Sequence, residues 1–187
     1  MLPLRTLLAC LLLSSAAEAV SLNVSGGQLL GAFDVDVNGT LYDVVFVEGT
    51  CIDVFTGCDE TSDFDFATSA DAQSAAQALL DQVLLDGAQG TFDSDPELTF
   101  GCLLSNECYV GFTPYSESGT VVAAWAAYNV EAAGDETQEL VLPKTFDTGG
   151  PGNGDIAVYA IWTVVPEPST ALLLGLGLVG LAARRGR

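Results

Sequence analysis

Between residues 20 and 165 the chain carries one basic side chain, Lys144, against 23 acidic ones, the 25 of the whole sequence less Glu18 and Glu167. The other cations, Arg5, Arg184, Arg185 and Arg187, sit at the two ends. A body of net charge −22 cannot pair its carboxylates with one another, and burying an unpaired carboxylate is prohibitive. The interior must therefore come from uncharged runs, with the acids held in loops or on outward positions. Phe, Val, Leu, Tyr and both Trp residues recur along the body, enough apolar material to bury a core in spite of self-repulsion. The same charge narrows the partners: it repels nucleic acid and anionic lipid, and attracts divalent cations and basic surfaces.

The 187 residues leave room for one domain once the ends are set aside. Residues 1–19 have the layout of a secretory signal peptide: Arg5 in the n-region, an apolar run over 7–13, and Ala17-Glu18-Ala19 as a small-x-small cleavage site. Leu7-Leu8-Ala9-Cys10 has the local form of a lipobox, but cleavage before Cys10 would truncate an apolar run that continues through Leu13. The acidic body then spans 20–164. Cys10 leaves with the leader, so Cys51, Cys58, Cys102 and Cys108 remain, and four cysteines allow three pairings. The short polar stretches in "CIDVFTGC" and "CLLSNEC" favour two local loops. Zinc is the rival, but CxxC spacing is lacking and the chain has no histidine. An oxidising compartment suits disulfides.

In "GAFDVDVNGTLYDVVFVEGTC", Phe33, Val35 and Val37 alternate with Asp34 and Asp36, and Asn38-Gly39 separates this run from the β-forming 41–47. Asn-Gly tolerates the positive φ of a type I′ turn, so a hairpin is predicted. The same letters begin an EF-hand loop, yet its twelfth position is Val45 rather than a bidentate carboxylate. Asp34 and Asp36 remain a looser calcium pair, since i and i+2 of a strand share a face. Beyond the first cysteines the period changes: Ala72, Ala75, Ala76, Leu79, Leu80, Val83 and Leu84 fall at helical spacing, with Thr68 or Ser69 as cap and Gly87 as terminator. Asp93, Asp95 and Glu97 alternate beside Pro96 and form a candidate calcium-binding triplet in a loop. Residues 120–130, with Trp125, and 155–165, with Trp162, read as strands. The glycine-rich loop between them lacks the GK[ST] of a phosphate cradle. The fold expected is α+β: an antiparallel sheet with one covering helix.

The chemistry that histidine supports is excluded, including Ser-His-Asp and Cys-His mechanisms and histidine-ligated metals. Carboxylate pairs could serve a glycoside hydrolase, but 23 acids create many accidental pairs and none stands in a motif. A small carbohydrate-binding module would need exposed aromatics, with Trp125 and Trp162 as its platforms. The leading expectation is a non-enzymatic protein with no cofactor, calcium being the one candidate ion.

Residues 170–183 are uncharged; as a helix they would span about 21 Å, against a hydrocarbon core of about 30 Å. Arg184, Arg185 and Arg187 behind them can reach the far interface and favour the cytoplasmic side, leaving the body outside. This predicts a short transmembrane helix within the terminal segment 165–187. Pro166-Glu167-Pro168, the short apolar stretch and the arginine cluster together resemble the PEP-CTERM sorting signal. That resemblance implies recognition of Pro166, Glu167 and Pro168 by exosortase, a membrane protease-transpeptidase, with Arg184, Arg185 and Arg187 as the retention cluster. It further implies a Gram-negative-type bacterium, passage through the inner membrane, and delivery to the cell surface or exterior. Exopolysaccharide and other biofilm matrix components are the partners it suggests.

Overall fold

A computed structural model describes residues 19–131, 134–150 and 156–166. Most of the leader, Glu167 and Pro168 of the sorting motif, the segment expected to cross the membrane, and Arg184, Arg185 and Arg187 lie outside the described residues. Among the described residues no helix is long and apolar enough to cross a membrane.

The expected hairpin joins β2 (Gln28–Val37) to β3 (Thr40–Val47). Asn38 and Gly39 take φ of 55° and 85°, and the Asp36 carboxylate accepts the Gly39 N–H at 2.6 Å, closing the turn between paired Val37 and Thr40. One part of the alternation fails. A bulge between Ala32 and Val35 puts Asp34 at φ 60°, so Ala32, Val35 and Val37 are buried while Phe33 is exposed. The i, i+2 rule needs an unbroken pleat. The bulge removes that basis for placing Asp34 and Asp36 together.

Ahead of this hairpin lies β1 (Ser21–Ser25), paired with β2. A second antiparallel meander follows the helix: β6 (Glu107–Ser118), β7 (Val121–Val130) and β8 (Glu136–Pro143). Residues 86–87 and 90–91 form a separate two-stranded ribbon, β4 and β5. The last strand, β9 (Ala157–Val164), lies between the meanders, giving the order β1-β2-β3-β9-β6-β7-β8. The sheet is therefore mixed rather than antiparallel: β9 runs antiparallel to β3 and parallel to β6. The reason is geometric. β3 and β6 run in opposite directions, so a strand placed between them must be parallel to one. The fold is mostly β-sheet with few helices.

Helix α2 (Ser69–Gln82) starts as predicted, with the Thr68 hydroxyl accepting the Asp71 N–H. It stops before Gly87: the N–H groups of Val83 and Leu84 both turn back to Leu79 O, and Gly87 belongs to the ribbon. Its buried alanines and Leu79 cover one sheet face, packing with Val35, Val44, Phe46, Val110 and Val158. Gly111 makes the close approach to β6 possible. It has φ +70°, and a Cβ there would stand 2.5 Å from Leu79 Cδ1. A one-turn helix, α1 (Cys51–Val54), and the loops around it cover part of the other face, where Phe55, Phe64, Phe112, Val122 and Tyr159 pack together.

Both disulfides take the local pairing, Cys51–Cys58 and Cys102–Cys108, with Cα separations of 5.7 and 5.8 Å. Each contributes about 2 kcal/mol by restricting a short loop in the unfolded chain. One staple belongs to each core.

Gly111→Ala combines a left-handed backbone with a side-chain clash against Leu79. The expected loss is about 2–4 kcal/mol in urea unfolding, partly recovered by a second change, Leu79→Ala, that removes the clash.

Candidate functional site

With one cation available, the carboxylates find other donors. Backbone N–H groups supply many of them: Asp43 accepts from Asp34, Asp63 from Asp59 and Glu60, Asp86 from Asp93 and Ser94, Asp135 from Val130, and Asp147 from Gly149. Asp63 is held below the usual carboxylate range by the Glu60 N–H first, and Asp86 by the Ser94 hydroxyl, which donates to it at 2.6 Å, ahead of the backbone N–H groups. Lys144 is itself committed, donating to Glu117 at 2.9 Å where the β6–β7 turn meets the end of β8. The acidic loops are thus built as turns and caps, with the free carboxylate oxygens facing solvent.

Two shallow clefts flank the Asn38–Gly39 turn. The larger, about 280 Å³, is lined by Asn38, Thr40, Tyr42, Asp65, Phe66 and Asp71 among others. A neighbour of about 210 Å³ lies between Asp36, Asn38, Gln77, Asp81 and Gln82. Each carboxylate in them already serves a local donor: Asp71 the Thr68 hydroxyl, Asp81 the Gln77 amide, Asp36 the Gly39 N–H, and Asp65 the Trp162 N–H at 2.9 Å. Asp65 fills a gap in the ladder, since the paired register of β6 with β9 ends at Phe112 and Tyr159. The residue keeps an exposed flank, yet burial of its carboxyl raises it above the usual carboxylate range, against the opposing effect of the Trp162 N–H.

The predicted calcium triplet is not gathered at one point. Among the described residues no group of three or more acidic or cysteine side chains could hold a metal ion. Alternation requires an extended chain, but residues 96–98 coil into a 3-10 turn. Asp95 accepts from the Thr91 hydroxyl at 2.5 Å, and Glu97 is exposed. Asp93 instead meets Asp135, a residue 42 positions away that no local pattern connects to it; burial raises Asp135, the Val130 N–H opposes, and Asp93 adds to the rise.

The tryptophans are taken up by the core. Trp162 is 4% exposed, donates to the Thr113 hydroxyl at 3.1 Å, and packs against Tyr42 and Phe66. Trp125 is partly buried between sheet and helix, with its N–H on the Ser69 hydroxyl at 2.9 Å. Neither is a free stacking platform.

The registers also place the chain ends. Ser21 pairs with Phe33, and Val35, Tyr42 and Val164 form one row across β2, β3 and β9. The start of β1 and the end of β9 therefore leave the sheet at the same pole, beside the Asn38–Gly39 turn. The last sheet bond runs from Val165 N–H to Leu41 O at 2.9 Å, and Pro166, without an N–H, follows it.

Asp65 gives this pole a pH signature. Its folded value lies above its unfolded one, so the folded state takes up the proton more readily, and its contribution to stability grows as pH falls through the folded value. Asp65→Asn keeps an acceptor for Trp162 and removes the desolvation cost. The variant is expected to melt higher than the parent at neutral pH, with the difference shrinking in acid. Identical pH–melting profiles for the two would refute this role.

Residues 164–187 match the family described as the PEP-CTERM protein-sorting motif, beginning at the last residue of β9. No curated protein and no solved structure shows a significant match to the chain. The chain thus carries a PEP-CTERM protein-sorting motif at its C-terminus, the mark of an exported protein processed by exosortase.

Proposed function

We propose that the body is a non-enzymatic surface or extracellular-matrix protein of a Gram-negative-type bacterium, held transiently at the inner membrane and delivered outside when exosortase acts on its tail. The observation that carries this reading is the sorting motif placed directly behind the last strand of a disulfide-stapled body. Among the described residues the sheet takes in none beyond Val165, which supports removal of the tail with the ladder intact. The engagement of Asp36, Asp65, Asp71 and Asp81 by local donors supports a structural rather than a catalytic use of these acids. The burial of Trp162 and the packing of Trp125 weigh against a carbohydrate-binding module built on them. Contact with exopolysaccharide or matrix proteins then falls to the acidic surface, with calcium as the bridging ion between carboxylates.

Mass spectrometry of the mature C-terminus in the native host tests the sorting step. Cleavage close to residues 166–168 is expected, and replacing Pro166, Glu167 and Pro168 with alanine should leave the precursor uncut. Extracellular protein that still ends in Arg187 would contradict the reading. The bridging role has its own test in calorimetry, where millimolar calcium should bind weakly and raise the melting temperature of the body. The absence of both binding heat and a shift in melting would exclude it.

A further inference from the structure

We propose that the body pairs with a second copy of itself through β1, edge to edge and antiparallel. A sheet edge presents unpaired N–H and C=O groups to any strand that can approach. Among the described residues this sheet has two edges, β8 and β1. β8 is guarded by exposed Glu136 and Glu139 and ends in Pro143, three features that oppose strand addition. β1 is the less guarded: Ser-Leu-Asn-Val-Ser holds no charge and no proline, and among the described residues it pairs with β2 alone. The irregularity between Asn23 and Val24 places the extra residue, Leu30, on β2 rather than on the free edge. It lies within residues 20–33, the longest run of the body without a charged side chain.

The sheet beside it is apolar as well. Phe33, opposite Ser21, is 42% exposed, and Val45, in the row of Gly31 and Asn23, is 44% exposed. Two bodies of net charge −22 repel one another over most of their surfaces, so approach is least opposed along this neutral strip. The strip is the same on both copies, and a patch that pairs with itself closes on a two-fold axis instead of propagating. Pairing of β1 with β8 would set the strip against Glu136 and Glu139 and leave free edges at both ends.

Centred on Asn23, the pairing sets Ser21 of each copy opposite Ser25 of the other. It also reverses strand direction, so the poles from which the tails leave point opposite ways. Two copies held by their tails in one membrane cannot adopt this arrangement, whereas released copies can. That consequence rests on the proposed membrane-held precursor; the pairing itself does not.

The test uses the disulfide-bonded body, residues 20–166, which holds all the strands of the sheet and both cysteine pairs. Sedimentation equilibrium should show a monomer–dimer equilibrium that strengthens with added salt, as screening relieves the repulsion. Ser21→Lys with Ser25→Lys sets like charges opposite one another at both ends of the pair. It should weaken dimerisation about threefold to tenfold, although it lowers the net negative charge. Ser21→Lys with Ser25→Glu turns the same contacts into ion pairs and should restore the parent affinity or exceed it. Both positions are exposed, and unchanged thermal melts establish that the variants fold. A body that stays monomeric at every concentration and salt, forms open-ended assemblies, or dimerises equally well with the double lysine overturns the proposal. Because this body lacks the tail, the outcome does not depend on whether the tail is processed.

Discussion

The meanders β1–β2–β3 and β6–β7–β8 are each built from neighbours in sequence, but among the described residues their ladders join only through β9. That strand is buried on both faces, which is why "AVYAIW" reads as a continuous apolar run with no alternation. Tyr159 reaches one core, against Phe55 and Phe112, and Trp162 the other, against Tyr42 and Phe66. Closing the seam costs the most loop entropy of any contact in the body, because β3 and β9 are separated by nearly the whole domain. The disulfides and α2 offset part of that cost by confining the intervening loops locally. Removing β9 would separate the meanders and uncover both cores at once.

The shortage of cations explains the style of the rest. An acidic body usually offsets its charge with lysine and arginine partners, but here Lys144 alone is available in the body and Glu117 holds it. The carboxylates are used instead as acceptors for N–H groups that turns leave unpaired, from the Asn38–Gly39 turn to the 3-10 turn ending at Asp63. In water this arrangement is inexpensive, since one oxygen of each carboxylate can serve the backbone while the other stays hydrated. The effective dielectric at the surface and the salt outside the cell then absorb the long-range repulsion.

The features legible in the sequence were those carried by local pattern. Asn38-Gly39 between β-branched runs, the alanine and leucine spacing of α2, and the apolar runs of β7 and β9 each appear within one window. β6 was hidden because Gly111 and Pro114 interrupt it; the structure uses the first to admit Leu79 and passes the second at an irregularity in the ladder. β8 was hidden by "ETQEL", the polar composition that suits an edge. β1 was hidden by its neutrality and by its place directly behind the leader. The parallel pairing of β9 with β6 was beyond any window, because it follows from the relative direction of two other strands. The same holds for the meeting of Asp93 with Asp135 and for the cleft that draws on Tyr42, Asp65 and Asp71.

Pro166 belongs to both halves of the protein's life. As the first proline of the motif it lies within the matched sorting segment, and as a residue without an N–H it follows the last bond of the sheet, from Val165 to Leu41. Strand alternation sends Val165 N–H to Leu41 and Trp162 N–H the other way, to Asp65, so the Pro166 nitrogen faces away from β3 and its missing donor blunts the opposite flank of β9. Two residues separate the end of β9 from Glu167, three Cα steps and at most about 11 Å of chain, so whatever grips the motif works near the pole that holds Asp36, Asp65 and the turn. Over such a span the acids of the pole still act on the surface that approaches, damped by salt with a Debye length of about 8 Å. The chemistry of this pole therefore favours a cationic approach to the motif over an anionic lipid surface.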